Sequence, residues 1–204
     1  MTGRREAEKE RRRATMLGAA ARLFERQGFA ATTFDEIATE ARVGVATVYK
    51  YFTSKQGLVI ALLEPGLDAT FARAQRIVAG PHTDPGKSMV ALLSAYRTLG
   101  GRNWASRELL RLTAFPGIGN EGVLTEFVRT AEARTQTQIR GLLKALRDAG
   151  RLTPRLPLTD ATAVIFALLN QHFAMYLADP NLSFARIFRR LARCVRLVFV
   201  DWRR

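Results

Sequence analysis

The sequence predicts an all-α protein in two parts, a small N-terminal domain over residues 1–60 and a larger helical domain over 61–204. Three observations lead there. Apolar residues recur at three- and four-residue steps along the whole chain. Gly and Pro clusters cut that rhythm into about nine segments of helical length. Before residue 190 no stretch alternates as a half-buried strand would.

The first helix is expected from about Glu8 to Gln27, with Ala14, Leu17, Ala21 and Phe24 as its apolar stripe. Gly28 suits a left-handed cap, and Phe29 follows as the hydrophobic contact that folds back on the helix. Thr33 opens the second helix, and Glu36 three residues on completes a capping box. Ile37, Ala38 and Ala41 form its inward face, and Arg42-Val43-Gly44 is a turn. The third helix is expected over about Val45–Phe52, with Val48 and Phe52 on one face. Ser54 caps a fourth helix reaching about Val78, which Pro65 and Gly66 are expected to kink.

After the linker 80–86, five further helices are expected at about Gly86–Leu99, Trp104–Phe115, Val123–Ala149, Asp160–Ala178 and Ser183–Trp202. The segment VRLVFV near the C-terminus has the composition of a strand. It nevertheless carries part of an unbroken helical stripe, Phe184, Ile187, Phe188, Leu191, Val195, Val198 and Trp202, and so reads as helix.

Composition narrows the classes of function. The 204 residues are 48% hydrophobic, enough for a packed interior, and the formal net charge is +14 with a pI near 11.2. Such a basic chain suits an acidic partner. The surplus is spread unevenly: residues 1–58 hold 11 Lys/Arg against 7 Asp/Glu, and the remaining residues 21 against 11. Charge therefore supports nucleic-acid binding by the N-terminal part only weakly. Cys194 is the single cysteine, which rules out an intrachain disulfide and fits a small buried hydrophobe in a reducing compartment. No apolar segment follows the N-terminal charges, and the longest apolar run, Ala163–Leu169, is too short for a bilayer. A cytoplasmic protein with no membrane partner is expected.

The third helix carries the chemistry. With Val48 and Phe52 turned inward, Val45, Ala46, Thr47, Tyr49, Lys50 and Tyr51 cover its outer face and N-terminal end. Phenolic hydroxyls are good phosphate ligands, and Lys50 and Lys55 add charge on the same side. Thr32 and Thr33 put hydroxyls and amides at a helix N-terminus, where a phosphate can sit. Val45, Ala46 and the Thr47 methyl suit thymine methyl groups, the Thr47 hydroxyl suits a base edge, and Arg42 is placed to reach in from the turn. A short helix presented after a tight turn at Gly44 has the size to enter a major groove. Spacing alone fits an ordinary three-helix core equally well.

The joint pattern is tighter. It combines the capping box, the Ile37-Ala38 pair, the turn valine, Thr47-Val48-Tyr49-Lys50-Tyr51-Phe52 and Ser54-Lys55, preceded by Ala19-Ala20-Ala21-Arg22-Leu23-Phe24 and Gly28-Phe29. Over about Arg12–Leu63 it resembles the TetR family of bacterial transcriptional regulators. That resemblance implies an all-helical homodimer in which each N-terminal helix-turn-helix domain reads half of a palindromic double-stranded DNA operator. Each C-terminal domain would dimerise and bind a small-molecule effector. By position it implies base-side contacts from Val45, Ala46, Thr47 and Tyr49, and phosphate contacts from Thr33, Lys50, Tyr51 and Lys55. Two positions depart from the family pattern. Arg42 stands where many members have glycine, at a cost of about 1 kcal/mol for a left-handed residue, so an altered turn is expected. Gly57 stands where an acidic residue often completes the box begun by Ser54, so a weaker start to the fourth helix is expected.

The second part is read from its own residues. The helix Asp160–Ala178 is apolar nearly all round and must be covered on both sides. A two-fold interface is expected from Ile165, Leu168, His172 and Met175 on that helix and Phe188, Leu191, Val195 and Val198 on the last. An apolar effector pocket with a polar anchor is expected among Phe71, Tyr96, Trp104, Phe115, Phe127, Phe166, Asn170 and Phe173, although most such aromatics are simply core. His172 reads as a satisfied buried histidine, since the only other histidine, His82, lies in the linker. The arginine clusters 97/102/107/111 and 186/189/190/193 read as solvated faces.

The loop Gly117–Gly122 matches a dinucleotide fingerprint in form. It follows a helix rather than a strand, so no nucleotide cofactor is expected. No catalytic triad or metal-ligand spacing is present, and neither an enzyme nor a metal site is expected. A sequence-specific regulator, most simply a repressor, is the leading reading. A sequence-tolerant architectural DNA-binding protein is the alternative, and a small-molecule-binding or catalytic helical protein with a vestigial motif is the third.

Overall fold

The computed structural model of the chain describes residues 2–96, 107–114 and 122–203. Among these residues the elements are helices: α1 (Thr2–Ala31), α2 (Phe34–Ala41), α3 (Val45–Tyr51), α4 (Lys55–Ala79), α5 (Pro85–Ala95), α6 (Arg107–Ala114), α7 (Val123–Asp148), α8 (Leu158–Ala178) and α9 (Phe184–Trp202). The sole extended pairing among them is one antiparallel bridge between Leu152 and Arg203. VRLVFV lies within α9, as its stripe requires. Trp104 and Phe115 lie outside the described residues, as do Arg97, Arg102 and most of the glycine-rich loop 117–122.

The chain divides into two compact units. One comprises Met1–Pro65 and Arg102–Phe127, the other Gly66–Gly101 and Val128–Arg204. The first division falls inside α4, which runs through Pro65 and Gly66 as one helix instead of ending there.

In the first unit α1 is longer than its apolar stripe predicts, beginning at Thr2. Its regular dihedrals break at Gly28 (φ 83°, ψ 162°), a conformation open to glycine because it lacks a Cβ. The chain turns there, and Phe29 packs back on Phe24 with ring centroids 5.4 Å apart. The core beneath is Met16, Ala19, Ala20, Leu23 and Phe24 of α1, Ile37, Ala38 and Ala41 of α2, Val48 of α3 with Phe52 behind it, and Leu58 and Val59 of α4. Leu109 of α6 and Leu124 of α7 join it. Full burial of such side chains contributes about 1.5–3 kcal/mol each, so α3, only seven residues long, is held by Val48 and Phe52 rather than by its own helicity.

In the second unit α9 packs on both α8 and α5. Asp84 caps α5 by accepting from the Lys87 N–H at 2.8 Å, and the Arg203 guanidinium, just past α9, bonds the same carboxylate at 2.9 Å. By length and composition α8 would suffice to cross a bilayer. It carries Asn170, Gln171 and His172 at mid-length, however, and α9 covers its buried side.

The packing of α8 on α9 corrects part of the expected dimer interface. Ile165, His172, Leu191 and Val195 are buried within one chain, because the apolar stripes of the two helices face each other. Leu168, Met175, Phe188 and Val198 are half-buried. The large apolar side chains left outside on these helices are Val164, Leu197 and Val200, the last two 70% and 66% exposed. His172 is satisfied within the chain: its Nδ1 lies 2.7 Å from the Leu168 carbonyl and its Nε2 4.0 Å from the Cys194 sulfur.

Candidate nucleic-acid interface

The geometry of α3 begins with its neighbours. Thr33 caps α2 in a complete capping box: its hydroxyl accepts from the Glu36 N–H at 3.2 Å, and its own N–H donates to the Glu36 carboxylate at 2.8 Å. Glu36 also accepts from the Gln27 side chain at 3.0 Å, which ties α2 to α1. Those donors, Gln27 first and Thr33 next, hold its carboxyl below the usual carboxylate range. Glu40 adds a second tie, accepting from Arg22 at 2.9 Å and Arg26 at 3.5 Å, and is held low chiefly by Arg22.

The turn keeps its left-handed geometry despite the arginine. Arg42 sits at φ 54°, ψ 46°, and its N–H donates to the carbonyls of Ala38 and Thr39. The expected alteration does not occur: the closing bonds, including Val43 N–H to the Ala38 carbonyl at 2.9 Å, outweigh a strain of about 1 kcal/mol. Gly44 then starts α3, its carbonyl accepting from the Thr47 N–H at 2.8 Å.

With Val48 at 0% exposure as its anchor, α3 turns its other side to solvent. Arg42, Gly44, Val45, Ala46, Tyr49 and Lys50 are exposed and Thr47 is half-buried beside them. Among the described residues, the side chains of Arg42, Thr47, Tyr49 and Lys50 bond to nothing else, so their donors are unspent. Tyr49 is 57% exposed, and its ring is set edge-on against Phe34 of α2 with centroids 4.7 Å apart. That contact fixes the ring while leaving the hydroxyl outward.

Three of the expected contacts stand differently. Thr32 is fully buried, and its hydroxyl donates to the Gly28 carbonyl at 2.8 Å, so it serves the chain turn and not a phosphate. Tyr51 is half-buried against the core. Lys55 bonds the Phe29 and Ala30 carbonyls at 3.0 and 3.1 Å and lies 4.8 Å from the Phe29 ring centroid, because the C-terminal carbonyls of α1 attract a cation. The weak start foreseen for α4 is offset in part, since Ser54 accepts from the Gly57 N–H at 3.0 Å. Sequence reasoning missed Arg13, whose guanidinium lies 5.9 Å from the centroid of Phe52 at the end of α3. Its helical register with Ala20, seven residues on, was the available signal.

In the second unit the expected pocket residues are only partly gathered. Phe71 and Tyr96 are buried and in edge contact at 6.1 Å. The Tyr96 hydroxyl donates to Gln138 at 2.8 Å, and Gln138 donates to the Phe71 carbonyl at 2.9 Å. Burial pushes the Tyr96 phenol upward from its ordinary value. Outside them lies an open groove of about 720 Å³ between α4 and α7, lined by Asp68, Gln75, Arg129, Arg134 and Thr137 among others. Arg134 spans it, 3.1 Å from Asp68 and 4.0 Å above the Phe71 ring. The remaining aromatics are elsewhere: Phe127 packs on the core of the first unit, Phe173 lies tilted against Tyr176 on α8, and Phe166 is half-buried; the polar candidate Asn170 is exposed.

Comparison with known proteins places this geometry. Residues 16–62 match the family of bacterial regulatory proteins, tetR family. The chain is 35% identical over 71 residues to the HTH-type transcriptional regulator HbdR of Aromatoleum sp. (strain CIB), covering 35% of this chain and 31% of that protein. It is 50% identical over 48 residues to the uncharacterized HTH-type transcriptional regulator YvkB of Bacillus subtilis (strain 168), covering 24% of this chain and 25% of that protein. The matches thus span about a third or less of these curated relatives. Among solved structures, AibR in complex with isovaleryl coenzyme A and operator DNA superimposes with a TM-score of 0.62 at 18% identity, over 90% of this chain and 97% of that one. At that identity the likeness shows the fold. Residues 16–62 are thus similar to the tetR family of bacterial regulatory proteins, and the solved structure shows that the chain shares the all-helical fold.

Proposed function

We propose that the chain is a sequence-specific DNA-binding transcriptional regulator, a repressor that binds a palindromic operator as a homodimer and leaves it when a small-molecule effector binds. The observation that carries this reading is the outer face of α3. Unspent donors on Arg42, Thr47, Tyr49 and Lys50 stand beside the apolar tips of Val45 and Ala46, on a helix anchored from behind by Val48. Such a face suits base edges and thymine methyls at the helix start, with phosphates at its flanks. Two copies paired on one face of B-DNA would set their α3 helices about 34 Å apart, or a multiple of it.

Val164 of α8 and Leu197 and Val200 of α9 are the apolar residues a second copy would cover. The groove between α4 and α7 is the proposed effector site. Its wall of Phe71, Arg134 and Gln138 offers an apolar surface, a cation and an amide. The effector releases DNA if it binds more tightly to a subunit arrangement with the wrong helix spacing. AibR, which shares the fold, was solved with both a coenzyme A ester and operator DNA.

The test is selection of duplexes from a randomised pool by the full chain, followed by competition. An inverted repeat whose complex survives about a hundredfold excess of random duplex supports the regulator. Absence of any enriched motif, with binding lost to that competitor, favours the architectural protein.

A further inference from the structure

The inward face of α1 continues past the end of the core. Met16, Ala19 and Leu23 are buried on that face. Upstream of them, Arg12, Lys9 and Arg5 continue the same row at steps of four, three and four residues, the register of one helix side. Among the described residues nothing covers this stretch: residues 3–15 are exposed apart from half-buried Glu8 and Arg13. The side that buries methyl groups lower down therefore presents cations higher up.

Its location is informative. Arg13, beside the row, lies over the ring of Phe52, the residue that caps α3. The row therefore leaves the domain next to the end of the reading helix. Residues 4–13 hold six Lys/Arg against three Glu. The glutamates make exposed pairs, Lys9–Glu6 at 3.4 Å, Arg11 and Arg12 with Glu8 at 3.2 Å and Arg13–Glu10 at 3.7 Å. Exposed pairs of this kind support the helix but neutralise little. Among the described residues Arg4 and Arg5 have no carboxylate partner.

A helical stretch of about fourteen residues without tertiary cover is marginal in water, so the α1 extension gains from a surface that supplies counter-charge along its length. We propose that Arg5, Lys9 and Arg12 bind the phosphate backbone of DNA beside the half-site read by α3. This rests on the DNA-binding reading above and extends its footprint. Along the axis Arg5 and Lys9 are separated by about 6 Å and Lys9 and Arg12 by about 4.5 Å, so the row reaches neighbouring phosphates of one strand.

The experiment compares the full chain with its Arg5→Gln/Lys9→Gln/Arg12→Gln variant. Fluorescence anisotropy is read on the selected duplex and on a random duplex of equal length, from about 50 to about 300 mM KCl. The slope of log Kd against log salt is expected to fall by about 2–3 on both duplexes, with the preferred sequence unchanged. The charge-keeping variant Arg5→Lys/Arg12→Lys is expected to retain the parent slope. Equal slopes for parent and triple variant, or loss of slope in the charge-keeping variant, overturn the proposal. A parent that binds both duplexes equally sinks sequence-specific regulation, while the slope difference still decides the role of the arm. A parent that binds neither overturns both.

Discussion

The Lys55 ammonium donates to the Phe29 carbonyl at 3.0 Å, joining the first residue of α4 to the end of α1 beyond the Gly28 break across 26 positions. A lysine that reads as a phosphate contact is thus a clasp within the first unit. Replacing it with methionine, which keeps the aliphatic stem, is expected to lower stability by about 1–2 kcal/mol. Urea unfolding followed by circular dichroism measures this. DNA affinity measured well below the midpoint is expected to change only a few-fold; a tenfold loss with unchanged stability would restore Lys55 as a direct contact.

Arg42 holds a left-handed conformation at φ 54°, and among the described residues its guanidinium has no partner. Arg42→Gly is therefore expected to stabilise the fold by about 0.5–1 kcal/mol, since glycine adopts that region freely. The same change is expected to weaken DNA binding, because the exposed cation is lost. Opposite signs in the two measurements identify Arg42 as a functional residue kept at a structural cost. A gain in stability with no loss of affinity would leave it as turn strain alone.

The capping box sets the angle at which α2 presents α3. Thr33→Ala removes the acceptor for the Glu36 N–H and is expected to cost about 1 kcal/mol. The linked pH effect has a definite sign. Glu36 and Glu40 are held below their ordinary value of 4.5 in the folded chain. Their contribution to stability is full above that value and is lost as pH falls through the folded value. The urea midpoint is therefore expected to drop below about pH 4.5, and the Glu36→Gln/Glu40→Gln variant to show a shallower drop. Parallel acid profiles for parent and variant would remove these two carboxylates from the account.

In the second unit, burial raises the Tyr96 phenol above its ordinary value of 10.0, and its hydroxyl donates to Gln138. Tyr96→Phe is expected to leave the 295 nm absorbance titration unchanged between about pH 9 and 11, because the phenol it removes does not ionise there while the chain stays folded. A missing tyrosinate step in the variant would show that Tyr96 is solvated, and that the Phe71–Tyr96–Gln138 wall is open.

The elements were legible in the sequence wherever local rules decide. The Thr33–Glu36 box, the Gly28 turn and the Val48–Phe52 anchor all depend on spacings of a few residues. The α1 stripe is displaced from the expected one: Ala14 is exposed and Leu17 and Ala21 half-buried, while Met16, Ala19, Ala20 and Leu23 join Phe24 inside. Failures arose where a partner is distant or a face is ambiguous. Thr32 carries a hydroxyl equally suited to a phosphate or a carbonyl, and only the fold brings the Gly28 carbonyl to 2.8 Å. In the same way Lys55 finds its carbonyls 25 and 26 residues away. Because α8 is apolar on two sides, periodicity does not say which side meets α9. Ile165 and His172, expected at a two-fold interface, lie inward, leaving Val164 at the surface.

The central claim is that α3 touches DNA through its outer face, and Tyr49 tests it with least ambiguity. Tyr49→Phe keeps the edge contact with Phe34 and deletes only the outward hydroxyl. Tyr49→Ala deletes both. Anisotropy titration of the selected duplex, with circular dichroism confirming the fold, is expected to give a loss of affinity of about tenfold for the phenylalanine variant and more for the alanine variant. Parent affinity in both folded variants would contradict the placement of α3 against the duplex.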